Sequence, residues 1–183
     1  MKAAVLSAIG APISIQEVAT PNQPGPDEVI VKLQAAALNH RDIWIQKGQY
    51  AKIQLPITLG SDGSGVVTKV GANVSQDWIG KEVVINPNVN WGDNEKVQSK
   101  EYCILGMPHP GTFAEYIQIP AHRLALKPQH LNFVESAAFP LAGLTAYRAM
   151  IKKGAPQQGD SVLVTGIGGG VALFAMQFAI AVG

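Results

Sequence analysis

The chain has 183 residues, of which 47% are hydrophobic and 15% charged, and its formal net charge is +1. This balance is typical of a globular protein and lacks the basic excess that marks nucleic-acid binding, so no nucleic-acid partner is expected. The single cysteine, Cys103, excludes an internal disulfide and any zinc site built from several cysteines. The chain starts directly in a strand pattern without a cleavable signal peptide, so a cytoplasmic location is expected.

Short strands separated by glycine and proline turns account for the first 120 residues. Alternating and β-branched apolar residues predict strands over residues 2–7, 13–18, 28–38, 66–70, 81–85 and 111–119. Residues 39–46 predict a short helix with Asn39 as its N-cap, residues 59–65 a polar glycine turn, and residues 86–110 an excursion. We therefore expect a small, mostly antiparallel barrel.

Helical spacing replaces this pattern beyond residue 120. Residues 133–153 predict a helix that Pro140 kinks or divides and that Gly154 and Pro156 end. The following run of β-branched residues over 162–165 predicts a strand, and helical periodicity returns after the glycines at 166 and 168–170. A strand, a glycine turn and a helix make up the opening half of a dinucleotide-binding βαβ unit.

Glycines at such a turn let backbone N–H groups approach a pyrophosphate at the positive end of a helix. The candidate cofactor-binding residues of the turn are Gly166, Gly168, Gly169, Gly170 and Val171. The spacing is imperfect, because Val171 occupies the place of the third glycine in G-x-G-x-x-G. A glycine-rich turn that binds nothing remains the alternative.

Residues 161–183 carry no charge and are long enough to span a membrane. The glycine interruptions, the β-type start and the lack of an aromatic belt or a basic flank argue against a span. A buried strand and helix of an α/β core would have the same composition. No membrane partner is therefore expected.

Several motifs in order resemble the medium-chain dehydrogenase/reductase superfamily: MKAAV (1–5), PGPDEVIVK (24–32), ALNHRD (37–42), LGSDGSGVV (59–67), GKEV (80–83), GTFAEY (111–116), AGLTAY (142–147) and GGVA (169–172). The resemblance implies an α/β plus mostly β architecture. A GroES-like, partly open catalytic barrel over residues 1–120 precedes connecting helices and the truncated start of a Rossmann domain over residues 121–183. It also implies hydride transfer between NAD or NADP and a small-molecule carbonyl substrate in the cleft between the domains, and it is compatible with a homodimer of the full-length protein.

The sequence departs from the zinc alcohol dehydrogenases of this superfamily at the metal ligands. Asn39, Ser61 and Leu141 match the positions of the family's cysteine, histidine and second cysteine, and the family's Gly-His-Glu is Gly60-Ser61-Asp62. Because zinc prefers thiolate and imidazole, no zinc is expected. The family's structural zinc lobe would lie within residues 86–110, where Cys103 alone remains.

The chain thus resembles the zinc-independent, quinone-oxidoreductase-like branch. Without zinc, the protein must polarise the carbonyl by hydrogen bonds, which favours quinones and enones over simple alcohols. Two alternatives stay open. One is a zinc-type alcohol dehydrogenase with atypical ligands such as His40 and Asp62, and the other is a non-catalytic barrel module.

The candidate catalytic residues are Asn39, Asp62 and Tyr50, and each also has a structural interpretation. Asn39 serves either as a helix cap or as a side chain of the active site. Asp62 either holds its turn by local hydrogen bonds or takes part in a proton relay. Tyr50 either donates a proton or packs in its loop. His40 and Arg41 are interpreted as surface or cleft-edge groups.

Thr145 either hydrogen-bonds its own helix backbone or, as the resemblance implies, lies beside the nicotinamide. Cys103 is expected to be inert, because a reactive thiol needs a depressed pKa. The chain ends with the first Rossmann helix, so we expect it to be a fragment. The residue that selects NAD or NADP is expected about twenty residues beyond the glycine turn, after Gly183.

Overall fold

The computed structural model describes all 183 residues, which divide into two compact units, Met1–Ala138 and Phe139–Gly183. The strands of the first unit are β1 Lys2–Leu6, β2 Ser14–Glu17, β3 Glu28–Ala37, β4 Ile57–Thr58, β5 Asp62–Val70, β6 Glu82–Ile85, β7 Asn88–Val89, β8 Cys103–Ile104, β9 Tyr116–Pro120 and β10 Leu124–Leu126. Its helices are α1 His40–Gln46 and α2 Phe133–Ala137. The second unit contains α3 Pro140–Tyr147, a π-helical segment Arg148–Gly154, and α4 Gly170–Val182.

Three open antiparallel sheets form the first unit, with strand orders β2-β1-β4, β10-β6-β5-β3-β9 and β7-β8. The expected mostly antiparallel, partly open architecture is therefore confirmed. Two apolar clusters fill the unit. The larger one is built from the inward faces of the five-stranded sheet: Val29, Val31, Val67, Val83, Ile85, Leu105, Ile117 and Ile119. The smaller one lies beside α1 and β4: Leu6, Ile45, Ile57, Leu59 and Met107.

The segment expected to be a glycine turn is largely strand, because β5 already begins at Asp62. Its glycines serve close packing. A Cβ on Gly65 would lie 2.2 Å from the carbonyl oxygen of Lys32 on the neighbouring strand β3, so only glycine permits this approach. The turn itself is restricted to Gly60, whose φ of +98° puts it in the left-handed region.

The strand expected over 111–119 begins only at Tyr116 and ends at Pro120. Residues 111–113 instead hydrogen-bond to the segment that precedes β5, through Thr112 N to Gly60 O and Phe113 N to Leu59 O. A Cβ on Gly111 would lie 2.0 Å from Gly60 O. The excursion over residues 86–110 carries the two-residue strands β7 and β8, which pair with each other.

Helices dominate the second unit, as the periodicity predicted, and Pro140 opens α3 and so divides the predicted helix. The Tyr147 ring of α3 meets the Phe178 ring of α4 edge to face, with centroids 5.8 Å apart. The strand expected over 162–165 does not form. A strand needs a hydrogen-bonded neighbour, and no strand of this unit supplies one. No helix of the structure is long and apolar enough to cross a bilayer.

Candidate active site

Helix α1 brings Asn39 next to Asp62. Asn39 occupies the N-cap position in extended conformation, and its N–H donates to Asp42 Oδ2 at 2.9 Å. Its side-chain Nδ2 donates to Asp62 Oδ2 at 2.9 Å. Asp62 is 1% exposed, and its carbonyl oxygen accepts from Thr112 Oγ1 at 2.7 Å. The structure thus brings together two of the three candidate catalytic residues.

Arg41 is interpreted from the sequence as a surface or cleft-edge group, and the surface alternative is wrong because its side chain is buried. It is 8% exposed. Its Nη1 donates to Ser61 Oγ at 2.6 Å and to Leu105 O at 2.9 Å, and Ser61 Oγ donates to the same carbonyl at 2.8 Å. Its Nε and Nη2 are buried and have no hydrogen-bond partner. The position that matches the family's histidine ligand is therefore occupied by a hydroxyl bound to a guanidinium.

Tyr50 contacts this cation. Its ring centroid lies 5.0 Å from Arg41 Cζ, a cation–π distance, and the ring is only partly buried at the edge of the smaller apolar cluster. The candidate catalytic residues therefore fall into two groups, the hydrogen-bonded pair Asn39–Asp62 and the group of Tyr50, Arg41 and Ser61. The two groups meet where Ser61 and Asp62 follow one another in the chain. His40 is exposed and contacts Trp44, with ring centroids 4.9 Å apart.

Asp42, 4% exposed, is the buried carboxyl of α1. Burial raises its pKa, an effect that the backbone N–H groups of Asn39 and Gly60 and the positive charge of Arg41 offset only partly. Desolvation therefore destabilises the ionised form of the Asp42 carboxyl. Its bond to Asn39 N fixes the start of α1 and thereby the direction of the Asn39 amide.

A second buried arginine gives a comparison for Arg41. Arg123 is 5% exposed, but its Nε and Nη2 both donate to Asn86 O, at 3.1 and 2.8 Å. Burial lowers the pKa of its guanidinium to about 10. Burial also raises the pKa of the nearby Cys103 thiol, against the positive charges of Arg123 and Arg41. The reactive thiolate is therefore disfavoured at Cys103, in agreement with its interpretation as inert.

The predicted cofactor turn lies in the second unit. Gly166 has φ +66°, Gly169 is the N-cap of α4 and Gly170 and Val171 open that helix. A Cβ on Gly166 or Gly168 would have no neighbour within 4 Å, so the turn has an open face over the helix N-terminus. Thr145 Oγ1 donates to Leu141 O of its own helix at 2.8 Å. The local structural interpretation of Thr145 is thus observed, and its role at the nicotinamide stays a prediction.

The donor set of the first unit does not fit zinc. Zinc sites are built from thiolate, imidazole and carboxylate ligands, and of the three side chains Asn39, Ser61 and Asp62 only the Asp62 carboxylate is one of these. The Arg41 guanidinium bonded to Ser61 Oγ would also repel a cation at that atom. No group of three or more His, Cys, Asp or Glu side chains able to hold a metal ion occurs in the structure.

Arg41 is the residue of this site that sequence reasoning missed, and a signal for it was present. Arg41 and Ile45 are four residues apart and share one helix face, and both are buried, with Asp42 beside them. Because Ile45 belongs on the core side of α1, Arg41 does too. Charge alone suggested a surface position.

Residues 25–129, more than half of the chain, match the model of the alcohol dehydrogenase GroES-like domain. The chain therefore belongs to this family, in the alcohol dehydrogenase-like branch of the medium-chain dehydrogenase/reductase superfamily. It is 41% identical over 171 residues to a zinc-type alcohol dehydrogenase-like protein of Schizosaccharomyces pombe, covering 92% of this chain and 49% of that protein. It is 33% identical over 189 residues to an acryloyl-coenzyme A reductase of Sulfurisphaera tokodaii, covering 100% of this chain and 56% of that reductase.

Among solved structures, the crystal structure of an NAD-dependent alcohol dehydrogenase matches the chain with a TM-score of 0.92 and 44% identity. That match covers 100% of this chain and 56% of the other. The chain thus spans about half the length of the curated relatives it matches.

Proposed function

We propose that the full-length protein is an NAD(P)H-dependent oxidoreductase that transfers hydride to a conjugated carbonyl compound, a quinone or an enone, without zinc. The observation that carries the proposal is the donor set at Ser61 and Asp62: the Asn39 amide is bonded to the Asp62 carboxylate, and the buried Arg41 guanidinium is bonded to the Ser61 hydroxyl and contacts the Tyr50 ring. The names of its relatives include both NAD-dependent dehydrogenases and a reductase of an α,β-unsaturated thioester.

The glycine turn fits a nicotinamide dinucleotide. The Gly169 N–H donates to Gly166 O within the turn. The backbone N–H groups of residues 168, 170 and 171 would face the pyrophosphate across the open side of the turn, and the N-terminus of the 13-residue helix α4 favours its negative charge. Thr145 would bind at the nicotinamide end. When bound, the cofactor supplies the hydride, and its chemistry needs no metal.

The residues of the first unit would bind and orient the carbonyl. Asn39 holds Asp62 in place through its amide, and the carboxylate of Asp62 is a candidate end of a proton relay. Tyr50 presents a partly exposed ring and a phenol, which can pack on the substrate or donate a proton. Conjugated acceptors suit such a site, because negative charge spreads onto an oxygen that hydrogen bonds alone can stabilise.

Fluorescence titration of NADPH and NADH against the full-length protein tests the cofactor assignment. Gly169 has φ −94° and ψ 148°, which valine adopts without strain. We expect Gly169→Val to leave the fold intact and to weaken binding at least tenfold, about 1.4 kcal/mol. Ala181→Val, at the far end of α4, is the matched control and should bind as wild type does. Equal binding by Gly169→Val and wild type would contradict the assignment.

Elemental analysis tests the metal assignment. After mild dialysis, the purified protein should contain no stoichiometric zinc. One zinc per chain would favour the zinc-type alcohol dehydrogenase instead. Failure of the wild type to bind either cofactor would favour a non-catalytic barrel module.

A further inference from the structure

Arg41 is a buried guanidinium in which some of the N–H donors have no hydrogen-bond acceptor. A guanidinium carries five N–H donors and no acceptor, and buried polar groups are normally hydrogen-bonded. Here Nη1 is used twice, on Ser61 Oγ and Leu105 O, while the one donor of Nε and the two of Nη2 are buried without a partner. Three charged donors therefore lack an acceptor.

Arg123 shows that this state is not a general consequence of burial in this fold. It is as buried as Arg41, yet both its Nε and its Nη2 reach the carbonyl oxygen of Asn86. The chain thus satisfies one buried guanidinium with its own backbone and leaves the corresponding atoms of the other free. The side chain that carries the free donors contacts the candidate residue Tyr50 and is bonded to Ser61, which directly precedes the candidate residue Asp62.

We propose that Arg41 is a catalytic residue, whose Nε–H and Nη2–H groups bind the carbonyl oxygen of the substrate. This inference rests on the proposed function and deepens it. Arg41 then supplies the positive charge that a metal ion supplies in zinc-dependent relatives, at a position where Ser61 replaces the imidazole ligand. The fork of donors fits an oxygen whose negative charge grows during the reaction.

The electron balance agrees with this role. When bound, a reduced nicotinamide would supply the hydride that forms the C–H bond at the β-carbon of the acceptor, and would itself be oxidised by two electrons. The π electrons of the C=C bond shift toward the carbonyl, and the negative charge ends on its oxygen, next to the guanidinium. A proton, for which Tyr50 or the relay that ends at Asp62 is the candidate source, then completes the saturated carbonyl product. Arg41 stabilises the developing charge and transfers no proton.

Tyr50 lies next to the guanidinium in this arrangement. Its ring centroid is 5.0 Å from Arg41 Cζ, and the ring is partly exposed while the free donors are buried. A carbonyl bound at these donors would lie beside the ring, where Tyr50 is the candidate packing or proton-donating group. Tyr50→Ala should therefore raise KM or lower kcat.

Kinetic measurements on the full-length protein separate the effect of the positive charge of Arg41 from the effect of its paired N–H donors. The probes are 2-cyclohexen-1-one and crotonyl-CoA. Arg41→Gln should lower kcat by about 10²-fold, the cost of losing an oxyanion donor, and Arg41→Lys, which keeps the charge, should lose less. NADPH affinity should equal that of wild type in both variants. Unchanged kcat in a folded Arg41→Gln protein would overturn the proposal.

A spectroscopic test on the full-length protein needs a variant only to assign a signal. Arg41, Arg123 and Arg148 are the three arginines of the 183-residue chain, and each gives a guanidinium Nε–H signal in ¹H–¹⁵N spectra of that protein. Arg41→Lys identifies the Arg41 signal. Adding 2-cyclohexen-1-one to the NADP⁺ complex, which cannot turn over, should shift this signal and leave the Arg123 and Arg148 signals in place.

The outcomes distinguish the two proposals. No binding of NADPH or NADH refutes the proposed function, whatever Arg41 does. Cofactor binding with no shift of the Arg41 signal at saturating 2-cyclohexen-1-one refutes the role of Arg41 alone. In that case Arg41 only holds Ser61 and the Leu105 carbonyl in place.

Discussion

In the unit Met1–Ala138, Leu6, Val31 and Leu59 are completely buried, whereas in Phe139–Gly183 Leu163 exposes 89% and Ile180 71% of its surface. No residue of α4 is buried, although the helix is almost entirely apolar. The first unit pairs its strands with one another, while residues 162–165 have the composition of a strand and no neighbour. Similar local sequences thus acquire different structure, because burial and pairing depend on what lies next to them.

The largest expected effect comes from matched leucines. Leu59→Ala opens a cavity in the smaller apolar cluster and should lower the free energy of unfolding by about 2–5 kcal/mol. Leu163→Ala removes an exposed side chain and should change it by less than about 0.5 kcal/mol. Urea unfolding of the 183-residue chain, followed by far-UV circular dichroism, measures both. Equal losses would mean that residues 162–165 are packed, and the contrast between the units would disappear.

The next largest change in the free energy of unfolding is expected for one of two glycines, Gly65 in the first unit and Gly168 in the second. A methyl group at Gly65 collides with the Lys32 carbonyl, so Gly65→Ala should cost about 1–3 kcal/mol. Gly168→Ala meets no atom within 4 Å and should unfold as wild type does. The same urea series measures both variants. A Gly65→Ala protein of wild-type stability would show that β3 and β5 are not in close contact there.

A buried threonine of the first unit and an exposed threonine of the second extend the comparison of the two units to polar side chains. Thr112→Val removes a buried hydrogen bond to the Asp62 carbonyl and should cost about 1 kcal/mol. Thr145→Val removes an exposed hydroxyl bonded to its own helix and should stay within about 0.5 kcal/mol. NADPH titration of the full-length protein measures cofactor affinity for the same two variants. Thr145→Val should weaken binding and Thr112→Val should not. Identical NADPH affinities for Thr145→Val and wild type would remove Thr145 from the cofactor site.

The smallest effect is a pH dependence confined to the first unit. Because burial raises the pKa of Asp42 in the fold above 3.8, the folded state retains this proton to higher pH than the unfolded state. Its stabilising contribution is complete below pH 3.8 and is lost as pH rises through the folded-state pKa. Asp42→Asn does not titrate and keeps an acceptor for Asn39 N. Urea unfolding across this window should therefore show wild type losing stability relative to the variant as pH rises; a constant or opposite difference would contradict the prediction.

The candidate site was predictable in part. Local patterns placed Asn39 at the start of α1, and the resemblance matched Asp62 to the family's Gly-His-Glu motif; the fold pairs these two residues. Tyr50 was a candidate from its side-chain chemistry alone, and the fold places its ring on Arg41. Neither the local patterns nor the resemblance revealed the burial of Arg41, since a charged side chain is expected at the surface unless its helix face is considered. The bonds from Arg41 to Ser61 and Leu105 span 20 and 64 residues of sequence, so no local pattern contains them.

The sequence by itself determined the helices, the antiparallel β pattern and the family, because periodicity, glycine placement and motif order are local properties of the chain. Tertiary structure decided which residues pair. It made residues 62–65 part of β5 by close contact with β3, and it left residues 162–165 without a strand partner. It also decided which charges are buried and which donors of Arg41 stay free. Hydrogen bonding and desolvation act between residues distant in sequence, and only the fold sets those distances.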